Sequence, residues 1–110
     1  MKMLAPRLRH RVTIQNFTTT QDSNTGAITE GWADFDDNVP AEVWPLSGRE
    51  FVAAQAVQAG VTTRITIRYQ TGILPRMRVL HDGQTYNIQA VLPDQTLRRH
   101  LTLMCERGVQ

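Results

Sequence analysis

From Leu8 to Gln15 apolar and polar residues alternate: Leu8, Val12 and Ile14 share one parity, Arg9, Arg11 and Thr13 take the other, and His10 stands on the apolar side. A period of two sends successive side chains to opposite faces of an extended chain, so this segment predicts a strand with one buried face. The polar stretch from Phe17 to Gly26 follows, with Asp22, Ser23, Asn24 and Gly26 supplying turn chemistry, and predicts an exposed hairpin tip leading into a second strand around Ala27–Phe35. Asp34, Asp36, Asp37 and Asn38 interrupt the alternation as an acidic turn. Val39, Ala41 and Val43 then restore it as far as Trp44 and Pro45, and Pro40 places the start of this third strand at an edge or a bulge.

The period then changes. Ser47 followed three residues later by Glu50 has the form of a capping box, and the alanine-rich run behind it stops at Gly60, which predicts a helix of about three turns over 47–59. Strands resume with Val61, Thr63, Ile65, Ile67 and Tyr69 on one face and Thr62, Arg64, Thr66 and Arg68 on the other. Thr71, Gly72 and Pro75 mark a loop. Met77, Val79 and His81 alternate up to Asp82-Gly83, a strong two-residue hairpin signal. The returning strand places Tyr86, Ile88, Ala90 and Leu92 together. After a turn at Pro93-Asp94, Leu97, Leu101, Leu103 and Cys105 form the inward face of the last strand, with Arg99 breaking the pattern near its start.

Six or seven strands and one short inserted helix (about 47–59) predict a mostly β fold, a small closed or nearly closed β-barrel or a small sandwich. The expected core holds Leu8, Val12, Ile14, Val43, Ile65, Ile67, Val79, Ile88, Leu101 and Leu103.

Composition bounds what such a fold does. At 110 residues and 41% apolar content, the chain suits one compact domain, 1–110. A single cysteine, Cys105, forms no internal disulfide, and no Cys/His cluster has zinc-finger spacing, so the expectation is a core without staple, metal or cofactor. Met1–Arg11 lacks the apolar run of a signal peptide, and no window approaches a membrane span, which fits a soluble, cytoplasmic chain with no membrane partner. The net charge of +2 is a mild bias, but eleven of the twelve basic residues are arginine. Arg7, Arg9 and Arg11 share a strand parity, as do Arg64 and Arg68, and Arg76 and Arg78. No aromatic residues interleave with them as base-stacking platforms, so the solvated side of a sheet explains them better than nucleic-acid binding, and an assembly surface rich in ion pairs remains open.

Catalytic chemistry finds no foothold in the spacing. His10, His81 and His100 are scattered, Cys105 reads as a small core residue, and there is no phosphate loop and no nucleophile-elbow or zincin motif. Asp34, Asp36 and Asp37 lack the spaced oxygen ligands and glycine of a calcium loop. Trp32 and Trp44 belong to the core or to a subunit contact. The expectation is a protein that is not an enzyme and has no small-molecule substrate.

Four stretches in order carry a resemblance over nearly the whole chain: LRHRVTIQ, AEVWPLSGREFVAAQAVQAGVTTRITIRY, TGILPRMRVLHDGQTYNIQAV and LTLMCER. They resemble the head-tail joining, or head-closure, proteins of tailed bacteriophages and prophages. The resemblance implies a small β-barrel subunit that assembles in the host cytoplasm into a homo-oligomeric ring of the virion's head-tail connector. There it would meet portal or adaptor and tail proteins and seal or continue the channel through which genomic DNA passes without sequence-specific binding. In such proteins a segment inserted between barrel strands reaches toward the channel, and by order along the chain it corresponds to Ser47–Gly60. Ser47, Glu50, Phe51, Val52 and Val57 are therefore the candidate assembly or channel-gating residues. A short alanine-rich helix gains little from the barrel alone and suits contact with neighbouring copies, although Phe51 and Val57 would serve equally to cap the barrel core. The competing function is a small nucleic-acid-binding barrel of the OB type, which would bind single strands with a steep salt dependence.

Overall fold

The computed structural model describes residues 8–94 and 99–108. Its elements run β1 (His10–Gln21), β2 (Ile28–Pro45), α1 (Gly48–Val57), β3 (Thr63–Arg68), β4 (Arg78–His81), β5 (Gln84–Pro93) and β6 (His100–Arg107). The six strands close into a barrel in the order β1-β2-β3-β6-β5-β4, every neighbouring pair antiparallel. The mostly β barrel with one inserted helix is therefore present. Arg7 and Leu97 lie outside the described residues.

Period-two alternation builds the barrel because each strand must hide one face and wet the other. In β3, Thr63, Ile65 and Ile67 are buried and pair with Cys105, Leu103 and Leu101 of β6, while Arg64 is half-buried and Arg68 exposed on the other face; Thr66 between them, expected at the surface, is buried as well. Eight of the ten expected core residues are buried; Leu8 and Val43 are half-buried, Val43 packing against the core. The β3–β4 connection carries Ile73 and Met77 into the same core and is tied to β5 at Ile88, whose N–H donates to the Met77 carbonyl and whose carbonyl accepts from the Arg76 N–H. Tyr69, past the end of β3, is exposed. The β4–β5 turn takes positive φ at both Asp82 (51°) and Gly83 (76°), the twist a two-residue hairpin needs.

Three departures from simple alternation have one physical cause, the β-bulge. The second and third strands expected from the sequence are a single strand, β2, because the acidic stretch is bulged rather than turned. Val12 pairs Val39, Ile14 pairs Asp36 and Gln15 pairs Asp34, so β2 spends two extra residues here, and Asn38 takes a φ of 53°. In β5, Ile88 pairs Cys105 but Ala90 pairs Met104, which makes Gln89 an extra residue and exchanges the faces beyond it. Val91 thus packs on the core, and Leu92, expected beside Ile88, is 51% exposed.

The first hairpin is longer than expected. Phe17–Gln21 extends β1 rather than forming loop, pairing Trp32–Ile28, and the turn shrinks to 22–27. Within it the Asp22 carboxylate accepts a hydrogen bond from the Asn24 N–H at 2.8 Å. The resulting ribbon leaves the barrel, and the molecule measures 61 × 27 × 25 Å.

Candidate functional site

α1 interrupts the barrel between β2 and β3 and lies on its outside. Ser47 is its N-cap, in extended conformation, but its hydroxyl makes no capping bond; its carbonyl accepts from the N–H groups of Glu50 and Phe51. The capping box is therefore not closed. Glu50 is drawn away by partners remote in sequence: it accepts from the Trp44 indole at 3.2 Å and pairs with the Arg64 guanidinium at 3.3 Å. Arg64 in turn sits 5.9 Å from the Trp44 ring. This exposed trio fastens the first turn of α1 to the ends of β2 and β3, which explains why Trp44 stands at the surface, 47% exposed, rather than in the core.

The far end is fastened by Gln55. Its amide accepts from the Gly60 N–H at 2.9 Å and donates to the Val61 carbonyl. Gly60 has a φ of +91°, the left-handed conformation that calls for glycine, and its α-carbon lies against the movable carboxylate end of Glu106.

Between these two fastenings α1 buries none of its residues. Phe51, Val52 and Val57 are 39%, 67% and 88% exposed, so the helix does not cap the core. Beside it lies an open, mainly apolar groove of about 390 Å³. Ala53, Ala54 and Val57 form its helix wall, and Val61, Ala90, Leu92 and Met104 form its barrel wall. The outward turn of Leu92 caused by the β5 bulge completes that wall. Ser47, Glu50, Phe51, Val52 and Val57 thus fall on one element, with Glu50 positioning it and the apolar three displayed.

A second surface escaped sequence reasoning. Where the ribbon leaves the barrel, Phe17 and Trp32 meet edge-to-face at 5.3 Å, and the Arg78 guanidinium lies 4.2 Å from the Trp32 ring centroid. Arg78 also donates to Gln15, whose amide donates to Asp34, both at 2.8 Å. Trp32 is half-buried outside the core. The available signal was Phe17, a large apolar residue heading an otherwise polar stretch.

Among the described residues, titratable groups do not assemble into a reactive centre. Burial pushes the Cys105 thiol up to about 12, which keeps it from forming a thiolate. His10 and His81 touch edge-to-face at 4.8 Å near the β1–β4 seam, and His81 is held below its ordinary value by burial and then by His10, with Asp82 opposing. Among the described residues no three His, Cys, Asp or Glu side chains gather as metal ligands, and no helix is long and apolar enough to cross a membrane.

Comparison with known proteins gives a consistent picture. Residues 3–108 match the family described as phage head completion protein. Head completion protein gp7 of Enterobacteria phage HK97 is 33% identical over 109 residues, spanning 94% of this chain and 96% of that protein. The solution structure of protein SF1141 from Shigella flexneri 2a matches with a TM-score of 0.78 and 32% identity, covering 98% of this chain and 99% of that one. A chain in the virion of native gene transfer agent particle shares the fold at a TM-score of 0.61 and 19% identity, over 96% of this chain and all of that one.

Proposed function

The chain belongs to the phage head completion protein family, a family of structural proteins and not of enzymes, and on that premise we propose that it acts as one domain, 1–110, assembled as a ring in the head-tail connector. The ring joins the DNA-filled head to the tail and seals or continues the DNA channel. Its partners are further copies of itself, a portal or adaptor protein on one side and tail proteins on the other, met first in the host cytoplasm. Genomic DNA passes without sequence-specific binding.

The observation that carries this reading is α1, a helix with no buried residue fastened at both ends beside an open apolar groove. A lone subunit gains little from holding such a helix; a subunit whose neighbours cover Phe51, Val52 and Val57 gains their burial, about 1.5–3 kcal/mol for each large apolar side chain fully covered. Ser47 and Glu50 set where the helix starts and how it is held. As an assembly or gating element, α1 is required by the assembled connector and dispensable to the barrel.

Replacing residues 48–57 by a Gly-Ser linker tests this. The variant barrel should stay folded, while a phage depending on this gene should yield DNA-filled heads that leak or fail to join tails. Unfolding of the variant, or normal head-tail joining by it, would remove α1 from the assembly. Tight single-strand binding with a steep salt dependence would favour the OB-type function instead.

A further inference from the structure

β4 accompanies β1 only over Thr13–Gln15, and β3 accompanies β2 only over Ala41–Pro45, whereas the β1–β2 ladder runs on to Gln21 and Ile28. Among the described residues, the distal strands Asn16–Gln21 and Ile28–Ala33 therefore have sheet neighbours on one side only. Each outer edge presents a row of backbone N–H and C=O groups to solvent.

Exposed edges are usually blunted by bulges, charges or proline, and β2 close to the barrel has all three: two bulges between Val39 and Asp34, the aspartates themselves, and Pro40. The distal edges have almost none. Asn16–Gln21 reads NFTTTQ, without charge or proline and rich in strand formers, and Ile28–Ala33 reads ITEGWA with Glu30 its one charge. Protection is thus present where the barrel is near and missing where the ribbon projects.

We propose that the distal β1 edge, Asn16–Gln21, receives the distal β2 edge, Ile28–Ala33, of a neighbouring copy of this chain, so that the arms of a ring join into one continuous antiparallel sheet. The proposal rests on the ring of the preceding subsection. Polarity supports this occupant: β1 and β2 are antiparallel within each arm, and rotation about an axis along the arm brings the neighbour's β2 beside β1 in the same antiparallel sense. Every junction is then alike, and closing the ring leaves no arm edge open. Twofold pairing of β1 with β1 would instead leave each β2 edge bare. Charge agrees, because the β1 edge carries none and Glu30 meets no like charge across the junction.

Cysteines placed on the two edges of separately tagged chains read the pairing directly. Thr18→Cys or Thr20→Cys on one chain, mixed with Thr29→Cys or Gly31→Cys on the other, should give cross-linked dimers of the two tags in connectors assembled from both. Each variant alone should give none. Cys105 is fully buried with its thiol pushed up and does not compete. Backbone amides of Thr18–Gln21 should also exchange at least about tenfold more slowly in the connector than in the free chain. Connector rings that contain both chains yet form no mixed dimer, or that link Thr20→Cys to itself, would overturn edge pairing while leaving the ring. Connectors without a ring of this chain would remove the ring and, with it, the pairing.

Discussion

Ile67 and Leu101 face each other across the β3–β6 ladder, each almost wholly shielded from solvent, so removing either side chain leaves a cavity that the rigid barrel cannot close. Ile67→Ala or Leu101→Ala should cost about 2–5 kcal/mol in denaturant unfolding, whereas Leu92→Ala should stay within about 0.5 kcal/mol. Equal losses at Leu92 and Ile67 would mean that the β5 bulge is misplaced. Strict alternation makes Leu92 a core residue, because a single extra residue such as Gln89 leaves no mark in the hydrophobic pattern; Ile67 and Leu101, on unbulged strands, were legible outright. His81 supplies a pH test. Its folded form takes up a proton less readily than the unfolded chain, chiefly through burial and then through His10, against the pull of Asp82. Stability should therefore decline as pH falls from 6.5 toward the lower folded value and level off once both states are protonated. His81→Gln should flatten that part of the profile, and an unchanged slope would assign it to other groups.

Among the elements, the ribbon and the helix behave unlike the barrel strands because neither has a second layer over it. A two-stranded ribbon is marginal by itself. In the free chain, amides of Thr18–Gln21 and of the turn 22–27 should exchange much faster than those of Ile65–Ile67, as hydrogen-exchange mass spectrometry can resolve. Equal protection would show the arm already ordered without a neighbour. The barrel strands were readable because burial on one face enforces the period of two. The arm was not, since with no core beneath it nothing selects apolar residues, and NFTTTQ has the composition of a loop as much as of a strand. Likewise Asp34–Asn38 suits a turn and a double bulge equally, and only its pairing with Val12, Ile14 and Gln15 distinguishes them. The helix was found within a few residues of its ends. Its capping bond was not, because Trp44 and Arg64 compete for Glu50 in a way only the folded barrel arranges.

At the scale of the whole molecule, the closed order β1-β2-β3-β6-β5-β4 seals the core and leaves three features outside it: α1, its groove, and the arm. Neither α1 nor the arm from Asn16 to Ala33 contributes a buried residue to the core, and both present surface that other copies or neighbouring connector proteins can cover. Hydrophobic patterning suggested a barrel without fixing its strand order, since β3 pairs with β6 across 31 intervening residues (69–99) that local pattern does not connect. Function was legible through the ordered resemblance of four stretches to head-tail joining proteins, in agreement with the family match over 3–108; no reactive constellation pointed to it. The most direct test of the central claim is electron microscopy of the purified chain mixed with its cognate portal and adaptor proteins. Assembly in the connector predicts a closed ring of this chain stacked on the portal-adaptor complex, with α1 and the arm at subunit contacts. Portal complexes that remain bare at saturating chain, or that bind isolated barrels with α1 and the arm free in solvent, would contradict it.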